Sequence, residues 1–379
     1  VDRGTADNGA AARGPGRSHP PVKRNFSRYG ILAESFSERL GAVNPDIVLI
    51  TSGMTYWYPG VVEAVRMVRA LHPAVPVIAG GVYATLLPDH CRRTAGPDYL
   101  ITGPPWVELR RILRSINLPV PEDPPDGRVL LDHRIWRRAG VLKLNEGCPL
   151  RCDYCASSIL HPVFEPGSGT GLLRTLRELV ESCGTGSFAF YDDALLHRKE
   201  ESFIPFLESM IESGLDIAFY LPNAIHLSLL DFNTASLMRR AGYREIRVGY
   251  ESSSPAFHAS HDEKVKRGDF CDTIAVLLEA GFDKSQIIAY VLAGLPRQRA
   301  AEVEDSVRYV SSFGVRASVA EYSPVPGTGL WEESVEASPF PIEEEPLYQN
   351  NSIIPLQWDG FTAADLQRIK DLSRELIAD

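Results

Sequence analysis

Short apolar runs and helical stripes alternate along most of the chain. Residues 46–51 (DIVLIT) form a continuous apolar run of strand length, and residues 59–71 then place Val61, Val62, Val65, Val68 and Leu71 at the spacing of an amphipathic helix. Residues 75–79 predict the next strand, ended by Gly80 and Gly81. A third follows at 99–102, with a helix over 104–116 whose prolines fall in the first turn, where a missing N–H costs no intrahelical bond. Strands alternating with helices predict a parallel sheet covered on its faces. A second series offers strands at 141–144, 187–191, 217–221, 245–250, 286–292 and 318–322. Helical stripes lie between them, such as Leu172, Leu173, Leu176, Leu179 and Val180, then Phe203, Phe206, Leu207, Met210 and Ile211. Six βα units predict a partial (β/α)6 TIM-like barrel, an architecture that binds ligands at the carboxyl ends of its strands.

The expected fold class is therefore α/β, with a Rossmann-like unit at 26–118 and a barrel at 140–335. Residues 1–25, rich in Gly, Ala, Arg and Pro without periodicity, read as a disordered leader. Prolines at 119, 121, 124 and 125 open a linker over 119–139, and 336–379 read as a tail with one helix. The chain opens with Val, which leaves open that the first unit is incomplete at its amino end.

Composition narrows the class. A length of 379 residues suits two or three domains, and 44% hydrophobic with 23% charged residues is the balance of a globular protein. No apolar run reaches the roughly 18 residues that span a bilayer, and the first residues lack the apolar centre of a signal peptide, so the cytoplasm is the expected location. The net charge is −10, and basic residues such as Arg92, Arg93, Arg137 and Arg138 are scattered. That argues against a nucleic-acid partner, which needs a concentrated positive surface. Six cysteines are too few for a disulfide framework, and three of them fall within eight positions, which predicts a metal site in a reducing compartment.

Those three stand in NEGCPLRCDYCASS, on a loop after the first barrel strand, as Cys148, Cys152 and Cys155. Three thiolates can hold three irons of a cubane and leave the fourth open to a ligand. A structural zinc site would need a fourth protein ligand, for which only His161 is near in sequence. Gly147 and Pro149 fit a tight loop. Cys91, Cys183 and Cys271 are isolated and read as ordinary buried thiols.

The cysteine spacing, with Tyr154 before the last cysteine, resembles the signature loop of the radical S-adenosylmethionine superfamily. The resemblance implies a [4Fe–4S] cluster on Cys148, Cys152 and Cys155, whose open iron binds the amino and carboxylate groups of S-adenosylmethionine and whose reduced state cleaves it to a 5′-deoxyadenosyl radical. The second barrel strand ends FAFYDDALL, similar to the family's segment at the ammonium of S-adenosylmethionine, which implies that role for Asp192 and Asp193; a helix cap is the alternative. The fourth runs IRVGYESSS, similar to the ribose-binding strand, which points to Glu251, with an ion pair to Arg247 or a lysine as the alternative. The fifth, IIAYVLAGLPRQ, resembles the strand along the adenine. LPNAIHL offers Asn223 as a further S-adenosylmethionine contact and His226 at the barrel mouth, where a lone histidine is more often a structural hydrogen-bonder. EYSPVPGTGLW looks like the closing segment near the substrate.

The first unit, with DIVLITSGM, VPVIAGGVYATLLPDH and DYLITG directly before the barrel, resembles the cobalamin-binding-domain class of the same superfamily. That implies bound cobalamin, with Gly80 and Gly81 at its nucleotide tail and Ser52, Tyr56, Trp57 and Tyr58 near the corrin. The Asp-x-His-x-x-Gly segment that supplies a histidine to cobalt in many such proteins is absent from the sequence, and a domain kept as a scaffold without cobalamin is the alternative. The resemblance further implies hydrogen abstraction or methyl transfer on an unknown small-molecule or peptide substrate, and an electron donor such as flavodoxin or ferredoxin. Two rival readings are a methylthiotransferase-like RNA modifier and a non-catalytic iron–sulfur binding or sensing protein. The first usually needs a basic RNA-binding domain and a second cysteine set; the second has no need of carboxylates at strand ends.

Overall fold

The computed structural model describes residues 30–122, 140–262, 264–266 and 268–376. The expected leader at 1–25 and most of the expected linker, 123–139, lie outside them. The chain divides into two units: residues up to Pro121 group with Ser323–Gln357, and Glu122–Tyr322 groups with Trp358–Asp379.

In the first unit, β1 (Val48–Ser52), β2 (Val77–Gly80) and β3 (Tyr99–Leu100) form a parallel sheet in that order, in register Val48↔Val77 and Ile78↔Tyr99. Successive side chains on β2 go to opposite faces. Val77 and Ala79 join Val61, Val65 and Val68 of the helix Tyr58–Leu71 in one core, while Ile78 packs with Ile101 and with Ile112 of the helix Pro105–Ser115. The expected alternation of strand and helix is thus observed.

Residues 323–335, expected in the barrel, and 336–357, expected in the tail, group instead with the first unit, while the rest of the expected tail groups with the second. The helix Trp331–Ala337 and the 3-10 turns Pro346–Gln349 and Asn351–Ile353 fall in the first, and the helix Ala363–Glu375 in the second. Tyr58 donates a hydrogen bond to Glu345 Oε2 across 3.2 Å, which ties the returning segment to the start of the helix Tyr58–Leu71. The 323–357 segment has no apolar period of its own to announce this.

The second unit is one parallel sheet whose strands pair in chain order: β4 (Gly140–Leu142), β5 (Ser187–Phe190), β6 (Ala218–Tyr220), β7 (Tyr243–Glu251), β8 (Ile287–Ala293) and β9 (Arg316–Glu321). Helices separate them, among them Gly169–Cys183, Phe203–Ser213, Phe232–Ala241, Asp269–Glu279 and Ala300–Ser312. Among the described residues β4 and β9 do not pair with each other, so the barrel is partial, as expected. One face of this sheet is apolar. Phe190, Phe219 and Tyr243 pack against Phe203 and Phe206 of the helix Phe203–Ser213, with Phe188 against Phe219, all fully buried, and the Phe190 and Phe206 rings 5.4 Å apart. Each buried Phe contributes roughly 1.5–3 kcal/mol. The other face is polar. Register places Ala189 beside Tyr220, Tyr220 beside Glu245, Gly249 beside Tyr290 and Tyr290 beside Ser318, and none of these reaches full burial except Gly249.

Candidate functional site

The loop leaving β4 is held in place by the end of β5. Asp192, buried, accepts hydrogen bonds from Leu144 N at 3.0 Å and Asn145 N at 2.6 Å. Asn145 in turn donates through Nδ2 to Leu195 O and accepts at Oδ1 from Gly167 N, each at 3.2 Å. Glu146 and Glu165 exchange two backbone hydrogen bonds of 3.0 Å. Gly147 then turns at φ +75, and a Cβ there would stand 2.5 Å from Val163 O, so only glycine fits.

This fixes where Cys148, Cys152 and Cys155 begin. All three are free, half-buried thiols, and a turn from Cys155 N to Cys152 O closes the last pair. Burial pushes the Cys148 thiol up from its ordinary value. It pushes Cys152 up to about 12, against the pull of the nearby Lys264 ammonium. Among the described residues no three His, Cys, Asp or Glu side chains are arranged around a single ion. Three free thiols on one loop are the donor set of a three-cysteine iron–sulfur cluster. His161 points its Nδ1 toward Glu146 Oε2 at 3.6 Å.

Beside the loop stands a network that links it to the end of β7. Tyr154 donates to Asp262 Oδ2 at 2.8 Å, its ring stacks on Phe257, and Lys264 Nζ lies 5.4 Å from its centre. His258 Nδ1 meets Asp262 Oδ1 at 2.9 Å and its Nε2 meets Ser252 O at 2.8 Å. A carbonyl only accepts, so Nε2 carries a proton, and the carboxylate favours one on Nδ1 as well. Burial opposes that charge, but the Asp262 carboxylate and the Ser252 carbonyl outweigh it and hold His258 above its ordinary value. Burial likewise works to raise Asp262, and its bonds to His258 and Tyr154 with the nearby Lys264 charge hold it below the usual carboxylate range. Glu251, at φ +65 on the last residue of β7, pairs with Lys264 at 2.8 Å.

The structure therefore brings together Tyr154, Asp192, Asp193, Asn223 and Glu251 at the carboxyl ends of β4 to β7, in different roles. Asp192 spends its carboxylate on backbone amides, which neither expected reading described. Asp193 is partly open, 4.0 Å from Lys143 Nζ, itself paired with Glu146 at 2.6 Å. Asn223 Nδ2 donates to Asp192 O at 3.2 Å. Glu251 takes a lysine as its ion-pair partner, while Arg247 pairs with Glu245. Burial, with the nearby Lys264 charge, lowers His226 to about 4, so it is neutral. Lys264, Asp262 and His258 were not foreseen; they lie in a polar stretch, HASHDEKVK, with no motif spacing.

In the first unit Gly81 has φ +82, and a Cβ there would lie 2.3 Å from Thr51 Oγ1 and 2.7 Å from Ser52 O. Its missing side chain lets β1 approach β2. The Ser52 hydroxyl donates to Met54 O at 2.7 Å, shaping the loop at the end of β1, and Met54 and Trp57 beyond it are exposed. The carboxyl end of a parallel sheet is where a Rossmann-like unit binds a ligand, and the exposed Met54 and Trp57 side chains follow the end of β1. His90 is occupied: its Nδ1 hydrogen-bonds the Tyr83 hydroxyl at 2.6 Å and the Tyr58 ring packs against it edge-on. Cys91 is buried as expected, but Cys271 is exposed on the helix Asp269–Glu279, because it occupies a polar position of that helix; the Cys183 side chain lies outside the described set.

Residues 24–106 match the family described as B12 binding domain, and residues 142–310 match the Radical SAM superfamily. An uncharacterized methyltransferase of Pyrococcus horikoshii is 22% identical, over 88% of this chain and 76% of that protein. Among solved structures, the radical S-adenosylmethionine methyltransferase TsrM from Kitasatospora setae superposes with a TM-score of 0.67 at 15% identity, covering 80% of this chain and 67% of that one. The cobalamin-dependent S-adenosylmethionine radical enzyme OxsB superposes with a TM-score of 0.60 at 12% identity; 91% of this chain spans 55% of that one. At these identities the likeness is one of fold. Fold, cysteine loop and matched families define a two-unit α/β protein with a B12-type domain and a cluster-bearing partial barrel. The chain carries a B12 binding domain over residues 24–106 followed by a Radical SAM domain over residues 142–310.

Proposed function

We propose that the protein binds S-adenosylmethionine at a [4Fe–4S] cluster on Cys148, Cys152 and Cys155, cleaves it reductively, and uses cobalamin held by the first unit to transfer a methyl group to an organic acceptor. The observation that carries this is the set of three free thiols on a loop braced by Asp192, beside the enclosed Glu251–Lys264 pair. When bound, the cluster supplies one electron to a carbon–sulfur bond and cobalamin a carrier for the methyl group.

The chain's own residues bind and orient. Lys264 places an ammonium where a carboxylate of S-adenosylmethionine can accept from it, and Glu251 offers Oε2 to a ribose hydroxyl. Asp193 offers a carboxylate to the ligand's ammonium, while Asp192 holds the loop. Tyr154, Phe257 and the His258–Asp262 pair keep water from the flank of Cys152. The methyltransferase names of TsrM and of the Pyrococcus horikoshii protein support methyl transfer, and OxsB supports cobalamin dependence. The electron comes from a one-electron donor of the flavodoxin or ferredoxin class, which places the protein in a reducing compartment. No helix among the described residues is long and apolar enough to cross a membrane.

The test is anaerobic reconstitution, chemical reduction and measurement of S-adenosylmethionine consumption. Formation of 5′-deoxyadenosine or S-adenosylhomocysteine is expected; unchanged S-adenosylmethionine with a full cluster would mean a binding or sensing protein. Equilibrium dialysis against hydroxocobalamin tests the first unit, and no retention at micromolar concentrations removes methyl transfer through cobalamin.

A further inference from the structure

We propose that the polar face of the barrel sheet binds the acceptor substrate through a carboxylate, and that Arg247 is the residue that recognises it. This rests on the reading of the unit as a radical S-adenosylmethionine barrel and adds a substrate class to it.

In a parallel sheet, residues paired in register share a face. Arg247 of β7 is matched with Ile288 of β8, and Ile288 with Arg316 of β9. The row toward the carboxyl ends holds Gly249, Tyr290 and Ser318; the row toward the amino ends holds Tyr220 and Glu245. Helices cover the opposite face with phenylalanines. A face carrying two arginines, a glutamate and two tyrosines cannot serve as a second apolar core, because unpaired buried charge is too costly.

Arg247 is fixed within that face. Its Nε donates to Glu245 Oε1 at 2.8 Å, and its Nη1 donates to Tyr290 Oη at 2.5 Å. The Tyr290 hydroxyl donates its own hydrogen bond to Pro222 O at 3.0 Å. The guanidinium carbon stands 5.7 Å from the centre of the Tyr290 ring. The plane of the guanidinium is thereby set before any ligand arrives, and Nη2 has no hydrogen-bond partner among the described residues. The side chain is 28% exposed, open enough to meet a ligand and enclosed enough to hold it.

Charge selects the ligand. In these rows the charged residues are Arg247, Arg316 and Glu245, of which Arg247 and Glu245 are paired, and Glu251 is neutralised by Lys264. The excess is positive, and a fixed planar donor matches a planar two-oxygen acceptor better than a tetrahedral or neutral one. Position adds the length. A Cβ on Gly249 would lie 3.0 Å from Glu251 Oε1 and 3.7 Å from Lys264 Nζ, so that pair stands directly above Gly249 on the same face. Arg247 is two residues below, roughly 7 Å along the strand. A small molecule anchored by its carboxylate at Arg247 therefore extends toward the Glu251–Lys264 end of the sheet.

The experiment uses the full chain, reconstituted anaerobically, with benzoate and benzamide as probes of equal shape and different charge, read by equilibrium dialysis and ligand-observed NMR. At least a tenfold preference for benzoate is expected. Arg247→Met should abolish the preference and Arg247→Lys should keep part of it. Glu245→Gln/Arg247→Met, which removes both charges, should melt near wild type and still show none. Equal binding of the two probes, binding of neither at millimolar concentration, or a preference that survives Arg247→Met overturns the assignment. S-adenosylmethionine affinity, titrated in the same samples, should be unchanged by every variant. A wild type that takes benzoate but not S-adenosylmethionine would overturn the enzymatic reading and leave the carboxylate site standing.

Discussion

Glu251 Oε1 and Lys264 Nζ lie 2.8 Å apart at the end of β7, with side chains only 12% and 9% exposed. An ion pair so enclosed depends on both members, because either alone is an uncompensated charge in a poor solvent. It stands beside the cysteine loop, with Lys264 Nζ 5.4 Å from the centre of the Tyr154 ring, next to the proposed S-adenosylmethionine site.

Lys264→Met should therefore cost about 3–5 kcal/mol of stability and weaken S-adenosylmethionine binding by a factor of about 10 to 100. Glu251→Gln/Lys264→Met should recover most of the stability and none of the affinity. Denaturant midpoints and calorimetric titration separate the two; a double variant that binds normally would show that the pair is only structural.

Reconstituted protein should hold about four irons and four sulfides per chain. Cys148→Ala, Cys152→Ala and Cys155→Ala should each abolish the cluster, whereas Cys271→Ala should leave it intact because that thiol is on an exposed helix position. Iron and sulfide analysis decides, and zinc retained in place of iron under reducing conditions would remove the cluster.

The His258–Asp262 pair predicts a pH dependence. His258 is held above its ordinary 6.5, so its contribution is fully present below about that pH and is lost as pH rises through its folded value. Asp262 is held below its ordinary 3.8, so its contribution is present above that pH and is lost as pH falls through its folded value. The melting-temperature advantage of wild type over His258→Asn should be largest near pH 6 and shrink on the alkaline side. A difference that stays flat from pH 6 to pH 9 would mean that His258 does not change its charge in that range.

Gly81→Ala forces a Cβ against Thr51 and Ser52 at φ +82, whereas Gly184→Ala, at φ +66, meets open space. The second should cost about 1 kcal/mol from backbone strain alone, the first clearly more, because β1 must also move. Chemical denaturation measures both, and hydroxocobalamin retention should fall only in Gly81→Ala. Cobalt(II) spectra of the wild type should lack imidazole nitrogen splitting, since the sequence has no Asp-x-His segment and His90 is engaged by Tyr83.

The alternation of strands and helices was legible in the sequence because each period is set within a few residues, by which side chains can share one face. The cluster loop was legible for the same reason: Cys148, Cys152 and Cys155 lie within eight positions, and a loop that short brings them together however the rest folds. The roles of the surrounding carboxylates were not. Asp192 meets the amides of Leu144 and Asn145, 48 and 47 positions away, and only the pairing of β4 with β5 makes that possible. Tyr58 finds Glu345 at a separation of 287 residues, which is why the returning segment was expected as a free tail. Arg247 shows the division within one strand. Its alternation with Ile246 and Val248 marked a strand, but whether its charge met Glu251 or Glu245 depended on Lys264, which arrives from the next helical connection and leaves Arg247 to the glutamate two residues before it. Local spacing determines which residues share a face; the partner each charge finds there is decided by the distant segments that packing brings beside it.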